Sequence, residues 1–164
     1  MGDLNNGFFI IGAALLFERA VAVSGFHRPL ELLVEYVKTT KRNGKPLSAD
    51  PLIRRKLAEM EMKFAVTKVL SYRLSWMQVQ KMFTLTEVAI TKLLSTEMVI
   101  FDLANTGMQI LGHYGELKSD SKWAELQGWF AHMYQEAPHY KIAGGTSEIQ
   151  RQILATRTLG LPRG

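Results

Sequence analysis

Residues 85–111 read LTEVAITKLLSTEMVIFDLANTGMQIL, and within them Leu93, Thr96, Ile100, Leu103, Gly107 and Ile110 fall at alternating steps of three and four. That spacing gathers one stripe on one side of an α-helix, and its alternation is the seam of antiparallel bundle packing. Gly107 lies in the seam without a Cβ, so a neighbouring helix is expected to approach closely there. A helix over Leu85 to Leu111 is predicted, and a helix of that length needs partners of similar length.

The same period extends outward in both directions. Upstream, Asp50 reads as an N-cap followed by Pro51 at the first helical position, where a missing N–H costs nothing. Ile53, Leu57, Met60, Phe64, Val66, Leu70, Leu74 and Met77 form the stripe of that helix, roughly 45 Å long at 1.5 Å per residue. A first helix is expected from Asn5 to Lys41, bent near Gly25 and Pro29 and ended by Asn43, Gly44 and Pro46. Downstream, a polar loop over Gly112 to Ser119 leads to Asp120 or Ser121 as the cap of a fourth helix. That helix carries Trp123, Leu126, Phe130 and Met133 and is closed by Pro138. Thr146, after Gly144 and Gly145, caps a last helix that buries Ile149 and Ile153 and stops at Gly160 and Pro162. Alternating strand patterns bounded by tight turns do not recur. The predicted fold is all-α, a four-helix up-and-down bundle with a short additional C-terminal helix, in one domain over residues 1–164.

Composition narrows the function. The 164 residues are 47% hydrophobic, enough for a single core and too few for two ordinary domains. The absence of cysteine excludes disulfide frameworks, thiolate metal sites and cysteine nucleophiles. No two of His27, His113, His132 and His139 stand at the i, i+4 spacing of a helical metal pair, so no metal site is expected. The net charge of +5 is spread among acids rather than gathered in a run, which argues against nucleic acid while suiting an anionic ligand such as a dinucleotide or coenzyme A. Phe8 to Phe17 is apolar throughout, but Glu18 and Arg19 end it far below the roughly 20 residues of a membrane span, and no lysine or arginine precedes it as in a signal peptide. A cytoplasmic protein without a membrane span is expected.

Three features are candidates for chemistry. Glu18 shares the stretch from Phe8 to Phe26 with only one other charge, Arg19, so that helix is expected to be buried on most of its circumference. A carboxylate there is either ion-paired or shifted into the range of a general base. Ala143-Gly144-Gly145-Thr146-Ser147-Glu148-Ile149 runs from glycines into a helix N-terminus, which is either a turn or a place for a phosphate or other polar group. Gln109-Ile110-Leu111-Gly112-His113-Tyr114-Gly115 ends a helix in glycines and aromatics, and a glycine C-cap accounts for it equally well.

Together these segments resemble the C-terminal domain of flavin-dependent acyl-CoA dehydrogenases, in the same order along almost the whole chain. Gly2 to Phe8 and Leu16-Phe17-Glu18-Arg19-Ala20 resemble its entry and first long helix. Asn43 to Leu47 with Asp50 to Arg54 resembles the connection that follows, and Gln109 to Gly115 its glutamine and glycine motif. Gly144 to Arg151, followed by Leu159 to Arg163, resembles its closing signature.

The resemblance implies a reaction in which a base removes the α-proton of an acyl-CoA thioester while the β-hydride passes to FAD, leaving a 2-enoyl-CoA. Many members place the base just before the Gly-Thr of the closing signature, where this chain has Gly144. A branch similar to isovaleryl-CoA dehydrogenase carries it on the first helix in a Leu-Glu-Arg context, which Glu18 matches. By the same resemblance Gln109 and Gly112 meet the FAD of a neighbouring subunit, and Thr146 and Glu148 contact the cofactor of their own. Thr40 and Asn43 stand where the family has an arginine and a phenylalanine, His113 replaces a glycine, and Arg42 is the substitute for the missing arginine. A homo-oligomer, dimer or tetramer, is implied, in which the chain is a fragment or separate subunit that needs an N-terminal helical domain and a β-domain for activity. The alternative is a non-catalytic oligomerisation module.

Overall fold

The computed structural model of the chain describes residues 3–18, 24–82 and 84–162. The described chain is all-α apart from one small hairpin. Helix α1 spans Gly7–Glu18 and, after a 3-10 turn at Ser24–Phe26, α2 spans His27–Thr39. The helix expected over Asn5 to Lys41 is therefore two described helices, with the 3-10 turn at the expected bend near Gly25; Pro29 sits in the first turn of α2, where it is tolerated.

Strands β1, Lys41–Arg42, and β2, Lys45–Pro46, pair antiparallel across Asn43 and Gly44. Both turn residues have positive φ, 53° and 77°, the geometry of a tight hairpin for which Asn-Gly is the preferred pair. The dipeptide therefore turns a hairpin as well as ending the helix.

Helix α3, Pro51–Val79, starts as predicted, with the Asp50 carboxylate accepting from the Leu52 N–H at 2.8 Å. Its buried row runs Met60, Phe64, Thr67, Leu74 and Met77. Thr67 replaces Val66 in the expected stripe, because a step of two from Phe64 turns about 200° around a helix and points Val66 outward. The Thr67 hydroxyl is satisfied by the Lys63 carbonyl at 2.7 Å.

Residues 85–111 fold as one helical rod: α4, Leu85–Leu93, a π-helical stretch, Leu94–Phe101, and α5, Asp102–Leu111. It runs antiparallel to α3, since Lys56 bonds Gln109 near one end while Lys63 reaches Asp102 seven positions further along each helix. Helix α6, Trp129–Ile142, packs on α5 and the π-helical stretch, and α7, Ser147–Ile153, packs on α4. Gly107 holds the expected close approach: a Cβ there would lie inside the Phe130 ring. The core joins Leu30, Leu33, Met60, Phe64, Val99, Leu103, Ile110, Leu111, Phe130 and Met133.

Three downstream expectations are corrected. The fourth long helix begins at Trp129 rather than near Asp120, because Leu126, Gln127 and Gly128 all take left-handed φ and break any helix before it; Trp123 is exposed. It also continues through Pro138, which removes only the bond to the Tyr134 carbonyl, while Phe130, Met133 and Ala137 stay buried on one face. In α7 the buried residues are Ser147 and Gln150, and Ile149 is exposed.

Candidate functional site

The predicted site residues separate into two groups and one outlier. The first group lies where α5 ends. Gln109 is exposed in the last turn, its side-chain oxygen accepting from the Lys56 ammonium. Gly112 follows with φ 60° and ψ −137°, a conformation that a side chain would strain, and open space surrounds its Cβ position. Arg42 reaches the same end from the hairpin, its guanidinium donating to the Ile110 carbonyl at 2.8 Å. That carbonyl is one of those an α-helix leaves unpaired at its C-terminus, and the arginine charge suits the dipole there. Tyr36 lies close by, and burial, with the Glu125 carboxylate adding to it, holds its hydroxyl above the usual tyrosine range. His113 is fully exposed and faces Glu116.

The second group lies at the start of α7. Thr146 caps the helix, its hydroxyl oxygen accepting from the Ile149 N–H at 3.4 Å. The Glu148 carboxylate is held below its ordinary range by its own main-chain N–H and then by the Thr146 hydroxyl. Gln150 is wholly buried and donates to the Gly145 carbonyl at 3.2 Å, tying the helix to the glycine turn. Arg151 pairs with Glu97 of the π-helical stretch. Burial pushes the Glu97 carboxyl up, but the Ser147 hydroxyl and the Arg151 guanidinium outweigh it and leave the group below the usual carboxylate range.

Glu97 marks the position of the second group on the central rod. From there to Gln109 is at most about 18 Å, the α-helical rise over twelve residues, so one chain presents the two groups as separate edges. Glu18 belongs to neither. It ends α1 exposed, and among the described residues no hydrogen bond or ion pair joins it to either group; Arg19 lies outside the described residues. The expected burial of the first helix is corrected: Phe8, Ile10 and Ile11 are exposed, and no described element packs along α1.

Sequence reasoning passed over Lys56, Glu97 and Arg151. Arg151 lies within the quoted closing signature, and Glu97 had a legible signal as the lone charge between Lys92 and Asp102. A cleft of about 510 Å³ opens between Lys118, Gln127, Trp129 and His132 and includes none of the predicted residues. Among the described residues, no helix is long and apolar enough to cross a membrane.

A helical bundle with two exposed polar edges, each built on a helix end and glycine, is the class of domain the chain forms. The chain belongs to the family described as acyl-CoA dehydrogenase, C-terminal domain, whose profile matches residues 5–159. It is 28% identical over 163 residues to the probable acyl-CoA dehydrogenase YngJ of Bacillus subtilis, covering 97% of this chain and 40% of that protein. It is 30% identical to the acyl-CoA dehydrogenase IpdE1 of Mycobacterium tuberculosis, covering 99% and 40%. The crystal structure of the ChsE4-ChsE5 complex from Mycobacterium tuberculosis superposes with a TM-score of 0.85 at 27% identity, over 99% of this chain and 43% of that one. The chain thus spans about 40% of the length of the curated relatives it matches.

Proposed function

We propose that the chain is the C-terminal part of an FAD-dependent acyl-CoA dehydrogenase that oxidises an acyl-CoA thioester to its 2-enoyl-CoA, working in the cytoplasm and inactive without further domains. The observation that carries this reading is the separation of the two polar edges. Gln109, Gly112 and Arg42 form one half-site and Thr146 with Glu148 the other, and a dinucleotide held between chains uses one half from each. A homo-oligomer, dimer or tetramer, follows from that arrangement.

The residues suit the cofactor. Gly112 leaves its main chain open to a close-lying group, Gln109 offers an exposed amide, and Arg42 keeps part of an exposed guanidinium beyond its bond to Ile110. When bound, FAD supplies the hydride acceptor for the β-carbon. Glu18 removes the α-proton in this reading, as the first-helix glutamate of the isovaleryl-like branch. The apolar side of α1 then lies against domains outside this chain, and their cover desolvates the carboxylate toward the pKa a general base needs.

The exposure of Glu18 and of α1 also favours a second reading, a non-catalytic assembly module. Two measurements separate them. Visible absorption after FAD addition and gel filtration tests the half-sites: retained flavin in an oligomer supports them, and a colourless oligomer supports the assembly module. Glu18→Gln in the enzyme reconstituted with its other domains tests the base. Turnover lost with flavin retained supports Glu18; unchanged turnover removes it from the mechanism.

A further inference from the structure

Asparagine is followed by glycine twice in the sequence, at Asn6-Gly7 and at Asn43-Gly44, and all four residues are exposed. Glycine leaves its main-chain nitrogen unshielded, so that it can close on the side-chain amide of the asparagine before it. The two dipeptides differ in what holds them. Asn6 precedes α1, its N–H donating to the Asp3 carbonyl at 3.2 Å and its carbonyl accepting from the Ile10 N–H at 3.2 Å, and no described element packs along that helix. Asn43 and Gly44 instead form the turn between paired Arg42 and Lys45, with φ of 53° and 77°, a type I′ hairpin turn. In such a turn the first residue has ψ of about 30°, which places the Gly44 nitrogen across the Cα–C bond from the Asn43 Cβ. The Leu47 N–H closes the base of the hairpin on the Thr40 carbonyl at 2.9 Å, with Leu47 buried in the core, and Arg42 fastens it to the Ile110 carbonyl.

We propose that Asn43 is a site of spontaneous deamidation whose rate is set by the hairpin, because ring closure waits for the turn to open. In the open turn the Gly44 nitrogen attacks the Asn43 Cγ. An N–Cγ bond forms, the Cγ–Nδ2 bond breaks, and ammonia leaves with the proton given up by the Gly44 nitrogen. Lys41, Arg42 and Lys45 flank the dipeptide and favour the anionic nitrogen through which the ring closes. Water then opens the five-membered imide. Addition at Cγ leaves aspartate; addition at the main-chain carbonyl carbon leaves isoaspartate, with the chain running through Cβ and Cγ, and nothing is oxidised or reduced. Isoaspartate adds a main-chain atom to a loop of two residues, so the pairing of Arg42 with Lys45 is lost and the arginine leaves Ile110. The modification is thus a one-way release of the anchor between the hairpin and α5, and it goes beyond the flavin reading without depending on it.

Asn6 serves as the internal reference. The chain is incubated at mildly alkaline pH, folded and in denaturant, and peptide mass mapping follows conversion at both dipeptides. In denaturant the two are expected to convert at similar rates, while in the folded chain Asn43 is expected to fall behind Asn6 by about tenfold or more, as for a group that reacts only on local opening. Arg42→Ala, shown to be folded by circular dichroism, is expected to speed Asn43 by about tenfold, the effect of losing a hydrogen bond from a charged group, and to leave Asn6 unchanged. The isoaspartyl form, separated by ion exchange, is expected to melt with Arg42→Ala rather than with the parent. No conversion of Asn43 in denaturant, equal rates at the two dipeptides in the folded chain, a folded Arg42→Ala with the parent's Asn43 rate, or an isoaspartyl form that melts with the parent overturns the proposal. The comparison of folded with denatured chain needs no variant, so it decides the gate even where Arg42→Ala fails to fold.

Discussion

The Arg42 guanidinium and the Ile110 carbonyl meet at 2.8 Å across 68 positions of sequence, fastening the hairpin to the last turn of α5. This bond gives the arginine a structural duty beside any contact with a cofactor. Arg42→Ala is expected to cost about 1.5–3 kcal/mol, the range for a hydrogen bond from a charged group, and to lower the melting temperature by several degrees. Gln109→Ala, which loses only an exposed bond to Lys56, is expected to stay within about 0.5 kcal/mol of the parent while weakening flavin retention. Paired thermal melts and absorbance after gel filtration distinguish the two roles.

Gly107 and Phe130 make a second testable contact. A methyl group at position 107 has to displace the ring, so Gly107→Ala is expected to destabilise by about 1–3 kcal/mol despite the better helix propensity of alanine. Phe130→Ala alone is expected to cost about 3–5 kcal/mol. Combined, the two changes should cost less than their sum, because the removed ring leaves room for the methyl; urea titration of the three variants measures the coupling.

Acid should weaken the tie between α7 and the central rod. The Glu97 carboxyl lies below its ordinary value of 4.5 in the folded chain, so the unfolded chain binds its proton first as pH falls. Its contribution is therefore complete above that value and is lost as pH drops through the lower folded one. The parent should exceed Glu97→Gln by under about 1 kcal/mol near neutral pH, with the gap closing as pH falls below the ordinary carboxylate value. Denaturant midpoints at several pH values check the sign.

The cap of α3 offers a simpler test. Asp50→Ala leaves the Leu52 and Ile53 N–H groups without their acceptor and is expected to cost about 1 kcal/mol. Asp50→Asn or Asp50→Ser should restore most of the loss in thermal melts.

The long helices were legible because their apolar steps of three and four outlast any local accident of propensity, as in the rod from Leu85 to Leu111. Caps such as Asp50 and Thr146 were legible because their chemistry is local. Leu126 and Gln127 were not, since neither residue type announces a left-handed conformation that its neighbours impose. The hairpin at Asn43 and Gly44 did carry its signal, overlooked because two-residue strands leave no alternation to read. For the candidate site, the sequence identified residues on two helix ends, but the distance between those ends depends on the packing of α7 against α4. The exposure of α1 was beyond reach, because an apolar run states that a surface is to be covered and leaves open whether the same chain covers it.

The wide turns of Leu94–Phe101 set the phase of the central rod. A one-residue deletion in a helix such as α3 swings everything beyond it by about 100° against its neighbours. Between Leu94 and Phe101 the i→i+5 ladder already holds more residues per turn than an α-helix, so a deletion there can be absorbed by tightening to i→i+4. Length changes between related chains in this rod are therefore expected to gather in these eight positions, the one stretch where losing a residue need not turn the faces that meet α3, α6 and α7.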